Sequence, residues 1–313
     1  MRLAALFFAG GHAFYFAMLL LAASAPLLAA SRHCWRRLGA LLFISGSLIH
    51  ACSAALALVW IPLMVIPGLG ALVAGQDWQA TTGPFLWKLS LRQIHSSRER
   101  IIFAGSLATL VVSLAAGLIQ SFQSWPASIS VPEGMMVHVI GDSLSAGLGE
   151  GEGPPWPDRL QRFLKTETVN HAQPGATTRS ALRQAEELPA ECFVLIEIGG
   201  NDLLSGMSSD EFARRLEELL SRVCRPGRTV AMFELPLPPF CNGYGTAQRA
   251  AAQRHSVSLI PRRVLASVVF HADDATLDSL HLSDSGHQMM AARIAGILQR
   301  SPMVAATVNW EDK

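Results

Sequence analysis

The first candidate for chemistry is the segment Gly141-Asp142-Ser143, which directly follows an apolar run. A serine at a sharp strand-to-helix turn exposes its hydroxyl and places its own backbone N–H beside a reacting carbonyl. A serine hydroxyl is a poor nucleophile until a neighbouring base takes its proton. Because the tripeptide alone is also compatible with a helix N-cap, the interpretation depends on finding that base elsewhere.

A candidate base lies near the other end of the chain, where Asp278 stands three residues before His281. A carboxylate at this spacing can accept from the ring Nδ1–H, which leaves Nε2 to accept a serine proton. We therefore predict a triad of Ser143, His281 and Asp278. Asp284 is expected in the first turn of the following helix, where negative charge is favoured, and His287 is expected to be structural.

Two further segments contain candidate oxyanion donors. Asn201 follows a glycine pair, and its side-chain amide can donate to a developing oxyanion. The same segment could instead be a turn in which Asn and Asp bind their own backbone. Gly175 could present a second backbone N–H, and Thr177 or Thr178 is expected to cap the next helix.

The segment 235–244 is rich in proline and carries Phe240 and Tyr244. It could form a wall of an acyl pocket or simply pack on the surface, and both interpretations stay open. No spacing such as H-E-x-x-H indicates a metal site, so neither a metal nor a cofactor is expected. The five cysteines form no C-x-x-C pair, and a disulfide among Cys192, Cys224 and Cys241 is left open.

The elements that must position these residues alternate between short β-rich runs and helical patterns. The runs cover 135–140, 168–170, 193–198, 229–235 and 256–260, and the helical patterns cover 156–165, 177–187, 209–223, 245–255 and 283–299. Such alternation predicts a parallel sheet covered on both faces. Ligands bind at the carboxyl ends of the strands in sheets of this kind, and the candidate residues follow those ends.

Together these segments resemble the SGNH, or GDSL, hydrolase superfamily. The family is named for four residues in chain order, and the sequence supplies Ser143, Gly175, Asn201 and His281 in that order. The strings GDSLSAG and LIEIGGNDLL, with a Trp-Pro pair between them, are similar to the lysophospholipase L1/thioesterase I branch. The resemblance covers about residues 135–300. It implies a three-layer α/β/α, flavodoxin-like domain.

The resemblance also implies a role for each matching residue. Ser143 would be the nucleophile, His281 the general base and then acid, and Asp278 the residue that orients the ring. The backbone N–H groups of Ser143 and Gly175 and the side chain of Asn201 would form the oxyanion hole.

Apolar residues are concentrated before about residue 122, although 50% of the whole chain is hydrophobic. Residues 3–30 contain no charged side chain, and this run exceeds the roughly 20 residues that a helix needs to cross a bilayer. A cleaved signal peptide is the competing interpretation. Further apolar runs cover 38–74, interrupted by prolines, and 101–119.

Basic residues separate these runs at 32–37 and 88–100, and the positive-inside rule assigns both segments to the cytoplasmic side. We therefore predict an SGNH hydrolase domain of the α/β class, preceded by transmembrane α-helices. The expected organisation is a transmembrane region of three or four helices at 1–122, a linker at 123–134, the SGNH hydrolase domain at 135–300 and a C-terminal tail at 301–313.

These patterns predict a membrane-anchored serine esterase or acyl hydrolase that acts on a small-molecule, lipid or acylated-glycan ester through an acyl-enzyme. An O-acyltransferase acting on an envelope glycan or lipid would use the same triad. A third possibility is a non-catalytic scaffold, against which the intact residue set argues. We expect a multi-pass protein of the bacterial inner membrane with its catalytic domain outside the cytoplasm. The net charge of +1 indicates no nucleic-acid partner.

Overall fold

The computed structural model describes residues 7–9, 12–28, 33–53, 111, 115, 128–147, 153–270, 275–276 and 281–301. The chain divides into two compact units. The first comprises residues 1–10, 125–237 and 243–313, and the second comprises 11–124 and 238–242. Each unit is described by itself below.

The first unit contains a five-stranded parallel sheet and the helices between its strands. The strands of the described part are β1 Ile129–Pro132, β2 Val137–Gly141, β3 Thr168–Asn170, β4 Cys192–Glu197, β5 Arg228–Phe233, β6 Ser258–Ile260 and β7 Leu298–Ser301. The sheet has the order β3-β2-β4-β5-β6, which is the flavodoxin-like order of a doubly wound fold. The parallel sheet predicted from the sequence is confirmed.

Helices lie between the strands of this sheet and after its last strand. Between the strands are α3 Ser143–Ala146, α4 Trp156–Leu164, α5 Ala181–Glu186, α6 Gly200–Leu204, α7 Ser209–Val223 and α8 Asn242–Arg254, and after β6 are α9 Arg262–Val269 and α10 Asp284–Ile297. Alternate strand residues such as Val139 and Leu195 share one hydrophobic cluster with α4, α9 and α10. The intervening residues, such as Ile140 and Ile196, are also buried, so both faces of the sheet are covered.

Several boundaries differ from the expectations. The predicted linker contains β1, which pairs in parallel with β7 in a separate two-stranded sheet. Helix α9 was not predicted. Helix α5 begins at Ala181 rather than near Thr177, and neither expected threonine caps it, because Thr178 donates from its backbone N–H and its hydroxyl to Asp202.

The second unit includes two described helices, α1 His12–Leu28 and α2 His33–Ser53. They pack on each other closely enough that a Cβ added at Gly46 would lie 3.1 Å from the carbonyl oxygen of Ala17. Arg36 and Arg37, expected in a loop, lie in the first turns of α2.

Among the described residues, no helix has both the length and the apolar content required to cross a membrane. Most residues of the apolar runs at 38–74 and 101–119 lie outside the described residues, so the spans predicted there are not described.

Candidate active site

The nucleophile candidate lies in a tight turn at the carboxyl end of β2. Ser143 begins α3 and is half-buried, and Asp142 caps the helix by accepting from the backbone N–H of Leu144 at 3.0 Å. Only a glycine fits directly before this cap, since a Cβ at Gly141 would lie 2.7 Å from the Ser145 side chain. The turn therefore holds the Ser143 hydroxyl at the edge of the sheet where ligands bind in this fold.

The Asn201 side chain joins three loops of the candidate site. Its Nδ2 donates to Asp142 Oδ2 at 3.2 Å and to the backbone carbonyl of Ala176 at 2.9 Å. Asp142 precedes Ser143, and Ala176 follows Gly175, so the structure brings the Ser143, Gly175 and Asn201 segments together. Both amide hydrogens of Asn201 are engaged in this state, and an oxyanion would have to share or replace one of these acceptors.

The backbone around Asn201 depends on the glycine pair that precedes it. Gly199 has a φ of 112°, and a Cβ there would lie 2.9 Å from the ring of Phe212 and 3.0 Å from Leu235. A side chain at this position would therefore be both strained and obstructed. The turn starts α6, whose first residues include Asn201 and the fully buried Asp202.

Asp202 holds the loop after β3 in place. Its carboxylate accepts from the Thr178 hydroxyl at 2.6 Å and from the Thr178 backbone N–H at 2.9 Å. Gly175, three residues earlier, has a φ of 72° and is exposed. The loop is thus fixed at one point while the Gly175 backbone stays accessible to a ligand.

His281 lies near the same turn as Ser143. Thr276 and Leu282, on either side of the D-x-x-H segment, form an antiparallel β-bridge. The ring of His281 is close enough to lower the pKa of Asp142, the residue before Ser143. Asp278, the predicted orienting residue, lies outside the described residues.

Asp284 and His287, which follow His281 in the sequence, have the structural roles predicted for them. Asp284 lies in the first turn of α10 and forms an ion pair with Arg159 of α4 at 2.5 Å. His287 is fully buried, and its Nδ1 accepts from the backbone N–H of Trp156 at 3.2 Å. These contacts attach α10, and with it the His281 loop, to α4.

The two aromatic residues of the proline-rich segment after β5 differ in burial. Tyr244 is buried, stacks on Phe212 with 4.4 Å between ring centroids and donates to the Met207 carbonyl. Phe240 is 64% exposed and has a φ of 68°, which is rare for a bulky residue. Tyr244 therefore has a packing role, and Phe240 stays available as an apolar contact.

Two carboxyl groups, those of Asp142 and Glu197, lie side by side beneath the Ser143 turn. Burial raises the pKa of Asp142 to about 6, while the Leu144 N–H, a hydrogen bond from Glu197 and the charge of His281 act in the opposite direction. Glu197 is fully buried, and its burial and the neighbouring Asp142 raise its pKa well above the ordinary value.

Glu197 was missed in the sequence, although a signal was present. The run FVLIEI was interpreted as a strand buried on both faces, and a glutamate is almost never fully buried without a partner. Gln184, also missed, accepts from the Gly141 N–H and donates to the Gly141 carbonyl, both at 3.0 Å. It fixes the end of β2, but no sequence pattern indicates this contact.

The described residues include no group of three His, Cys, Asp or Glu side chains that could hold a metal ion. Cys192, Cys224 and Cys241 are free thiols. The structure brings the Ser143 turn, the Gly175 loop and the Asn201 side chain together, and the ring of His281 lies near Asp142. Such a site can activate a hydroxyl for attack on a carbonyl and stabilise the resulting oxyanion.

Residues 139–289 match the model of the GDSL-like Lipase/Acylhydrolase family. The chain is 31% identical over 138 residues to Esterase TesA of Pseudomonas aeruginosa, which covers 39% of this chain and 68% of that protein. It is 31% identical over 107 residues to thioesterase 1/protease 1/lysophospholipase L1 of Escherichia coli, covering 32% of this chain and 50% of that protein.

Among solved structures, TesA has a TM-score of 0.47 at 25% identity, covering 52% of this chain and 97% of that one. The esterase EstA from Pseudoalteromonas has a TM-score of 0.46 at 22% identity, covering 52% of this chain and 95% of that one.

The parallel sheet with helices on both faces is the fold of an SGNH-type hydrolase. The chain belongs to the GDSL-like lipase/acylhydrolase family. It is an ester-cleaving hydrolase, as its relatives named esterase and arylesterase indicate.

Proposed function

We propose that the protein is a membrane-anchored serine esterase whose reaction proceeds through an acyl-enzyme on Ser143. The observation that carries this proposal is the Asn201 side chain, which hydrogen-bonds beside both Ser143 and Gly175. An amide donor next to a serine nucleophile is what an acyl-transfer reaction requires. His281 is the base in this proposal. Its ring is close enough to Asp142 to lower the pKa of that carboxyl group.

The reaction begins when Ser143 Oγ attacks the ester carbonyl carbon and His281 Nε2 takes the hydroxyl proton. Asp278 is assigned to the Nδ1 side of the ring, where it fixes the tautomer and stabilises the imidazolium. The carbonyl oxygen becomes an oxyanion held by the N–H groups of Ser143 and Gly175 and by the Asn201 amide. The amide reaches it by giving up or sharing its bond to Asp142 or Ala176.

The tetrahedral intermediate then collapses, and His281 returns the proton to the departing alcohol. The acyl group remains on Ser143 until a water molecule, deprotonated by His281, attacks the acyl carbon and releases the acid. An oxyanion donor is typically worth about 2.7–4 kcal/mol in the transition state, so Asn201 contributes to turnover even with the triad intact.

The substrate proposed is a carboxylic ester or thioester of a fatty or short acyl group. The name of the Escherichia coli relative includes both thioesterase and lysophospholipase, which supports this class. Leu204, at the end of α6, is 68% exposed and supplies apolar surface that an acyl chain could contact.

The membrane anchor and the extracytoplasmic location are part of the same proposal. Residues 3–30 carry no charged side chain, and no Lys or Arg occurs between Arg100 and Arg159. By the positive-inside rule, this asymmetry supports a catalytic domain on the non-cytoplasmic side.

The test is hydrolysis of p-nitrophenyl esters from acetyl to palmitoyl by the full chain purified in detergent. Wild type is expected to release p-nitrophenol with a preference for one chain-length range, and Ser143→Ala is expected to lose that activity. Ser267→Ala is the matched control, because Ser267 only donates to the Val264 carbonyl within α9. Equal activity in Ser143→Ala and wild type would contradict the proposal.

A further inference from the structure

A buried carboxyl group lies directly beneath the Ser143 turn. Glu197 ends β4, where it is paired in register with Gly141 of β2, and it is 1% exposed. Its Oε2 accepts from the Ser145 hydroxyl at 2.9 Å, and its carboxyl group is hydrogen-bonded to Asp142. A buried glutamate at the end of β4 therefore contacts two residues close to Ser143.

Asp142 extends this contact toward the oxyanion donors. One oxygen of its carboxylate accepts from the Leu144 backbone N–H, and the other accepts from Asn201 Nδ2. Asp142 is itself 3% exposed, so water does not compete for these bonds. A hydrogen-bonded chain thus runs from Glu197 through Asp142 to Asn201.

Two carboxyl groups in contact inside a protein cannot both be ionised without large repulsion, so the pair retains a proton. Glu197 is the more buried partner, whereas Asp142 accepts from two donors, the Leu144 backbone N–H and Asn201 Nδ2, which favour its ionised form. The charge of Asp202 acts in the opposite direction by raising the pKa of Asp142, but it is the weakest of the influences on that carboxyl group. The proton therefore resides on Glu197, and Asp142 is the acceptor.

We propose that Glu197 is a positioning residue for ester hydrolysis, a neutral carboxylic acid that donates to Asp142 and through it orients the Asn201 amide and the Ser143 turn. The inference rests on the proposed function of Ser143 and Asn201. It assigns Glu197 no contact with the substrate. Its effect is on the alignment of groups that act in the transition state, so it is expected in kcat rather than in KM.

Two substitutions separate this role from simple packing. Glu197→Gln keeps a donor toward Asp142 and an acceptor toward Ser145, so kcat is expected to stay within about twofold of wild type. Glu197→Leu keeps the volume but removes the donor, so kcat is expected to fall at least about tenfold with little change in KM.

The matched control is Glu234→Gln. Glu234 directly follows β5, is 7% exposed and forms an ion pair with Arg249, but it does not contact Asp142. Its substitution is expected to lower the melting temperature while leaving kcat unchanged. A loss of kcat that merely follows lost stability would appear in this variant as well.

The pH dependence of stability gives a second readout that does not require activity. Because the pKa of Glu197 is raised on folding, the folded state takes up a proton that the unfolded state has released. Wild-type stability therefore falls as pH rises above the ordinary glutamate range. Glu197→Gln lacks this proton, so its folding equilibrium constant relative to wild type is expected to rise with pH, by up to about tenfold per pH unit, from the ordinary glutamate range until the pH reaches the raised pKa of Glu197.

The experiment measures kcat, KM and the urea unfolding midpoint against pH for wild type, Glu197→Gln, Glu197→Leu and Glu234→Gln, with Ser143→Ala as the inactive reference. Infrared spectra of wild type are expected to contain a protonated-carboxyl band at pH 7 that Glu197→Gln loses. Equal kcat in Glu197→Leu and wild type, or equal loss in Glu197→Gln and Glu197→Leu, would overturn the inference. Residual full activity in Ser143→Ala would instead overturn the proposed function.

Discussion

Asp278 and Asp284 lie three residues before and three residues after His281. Asp278 is expected to orient the His281 ring, whereas Asp284 belongs to the first turn of α10. Asp278→Asn is expected to remove the anion that fixes the ring tautomer, and a comparable change in a serine protease lowers kcat by about 10⁴. Asp284→Asn is expected to keep kcat, since the Asp284 side chain is 67% exposed and pairs with Arg159.

The measurement for this pair is kcat on one short-chain ester at pH 8, together with the free energy of unfolding. Asp284→Asn is expected to lower stability more than an ordinary surface substitution does, because its partner Arg159 is 7% exposed and would lose the negative charge it pairs with. Normal turnover in Asp278→Asn combined with a collapse in Asp284→Asn would reverse the two assignments.

At this scale, the sequence indicated residues whose chemistry is carried by a short motif. Ser143 and Asn201 could be found because each follows a strand and has small neighbours that make room for a ligand. Glu197 could not be assigned in the same way, because its partner Asp142 becomes adjacent only when β2 and β4 pair in register. A motif describes neighbours along the chain, whereas a carboxyl pair depends on neighbours across the sheet.

At the scale of elements, alternation of apolar strands and amphipathic helices was enough to predict the parallel sheet. Helix α7 has the bounds predicted from its helical pattern, Ser209–Val223. The structure shows why it begins there, since Ser208 accepts from the Glu211 N–H and acidic residues fill the first turn. Helix α5 is shorter than predicted. Asp202, from another loop, binds Thr178 and keeps that segment out of the helix.

The elements that were missed depend on distant partners. Strand β1 was predicted as linker because four residues with two apolar positions carry little periodic signal. It forms a strand by pairing with β7, in which Ile129 is opposite Leu298. Such a pairing between opposite ends of a domain has no local signature, so it could not be predicted from the sequence.

At the scale of the whole molecule, the central expectation is an apolar N-terminal region followed by a hydrolase domain. A reporter fused after residue 128 is expected to behave as extracytoplasmic, and one fused near Ser96 as cytoplasmic, because Ser96 lies within the basic segment 88–100. Paired alkaline phosphatase and fluorescent protein fusions measure this, since each is active on one side only. A cytoplasmic reporter after residue 128 would refute the orientation predicted from the basic segments.

The most direct test of the account is covalent labelling of the full chain with a fluorophosphonate, followed by peptide mass spectrometry. Because the probe reacts with a serine hydroxyl that a base has activated, Ser143 is expected to carry the label. Ser143→Ala is expected to remain unlabelled, and Asn201→Ala is expected to be labelled more slowly as the oxyanion site is weakened. Labelling at Ser145 or Ser283, or undiminished labelling of Ser143→Ala, would contradict the assignment of the nucleophile.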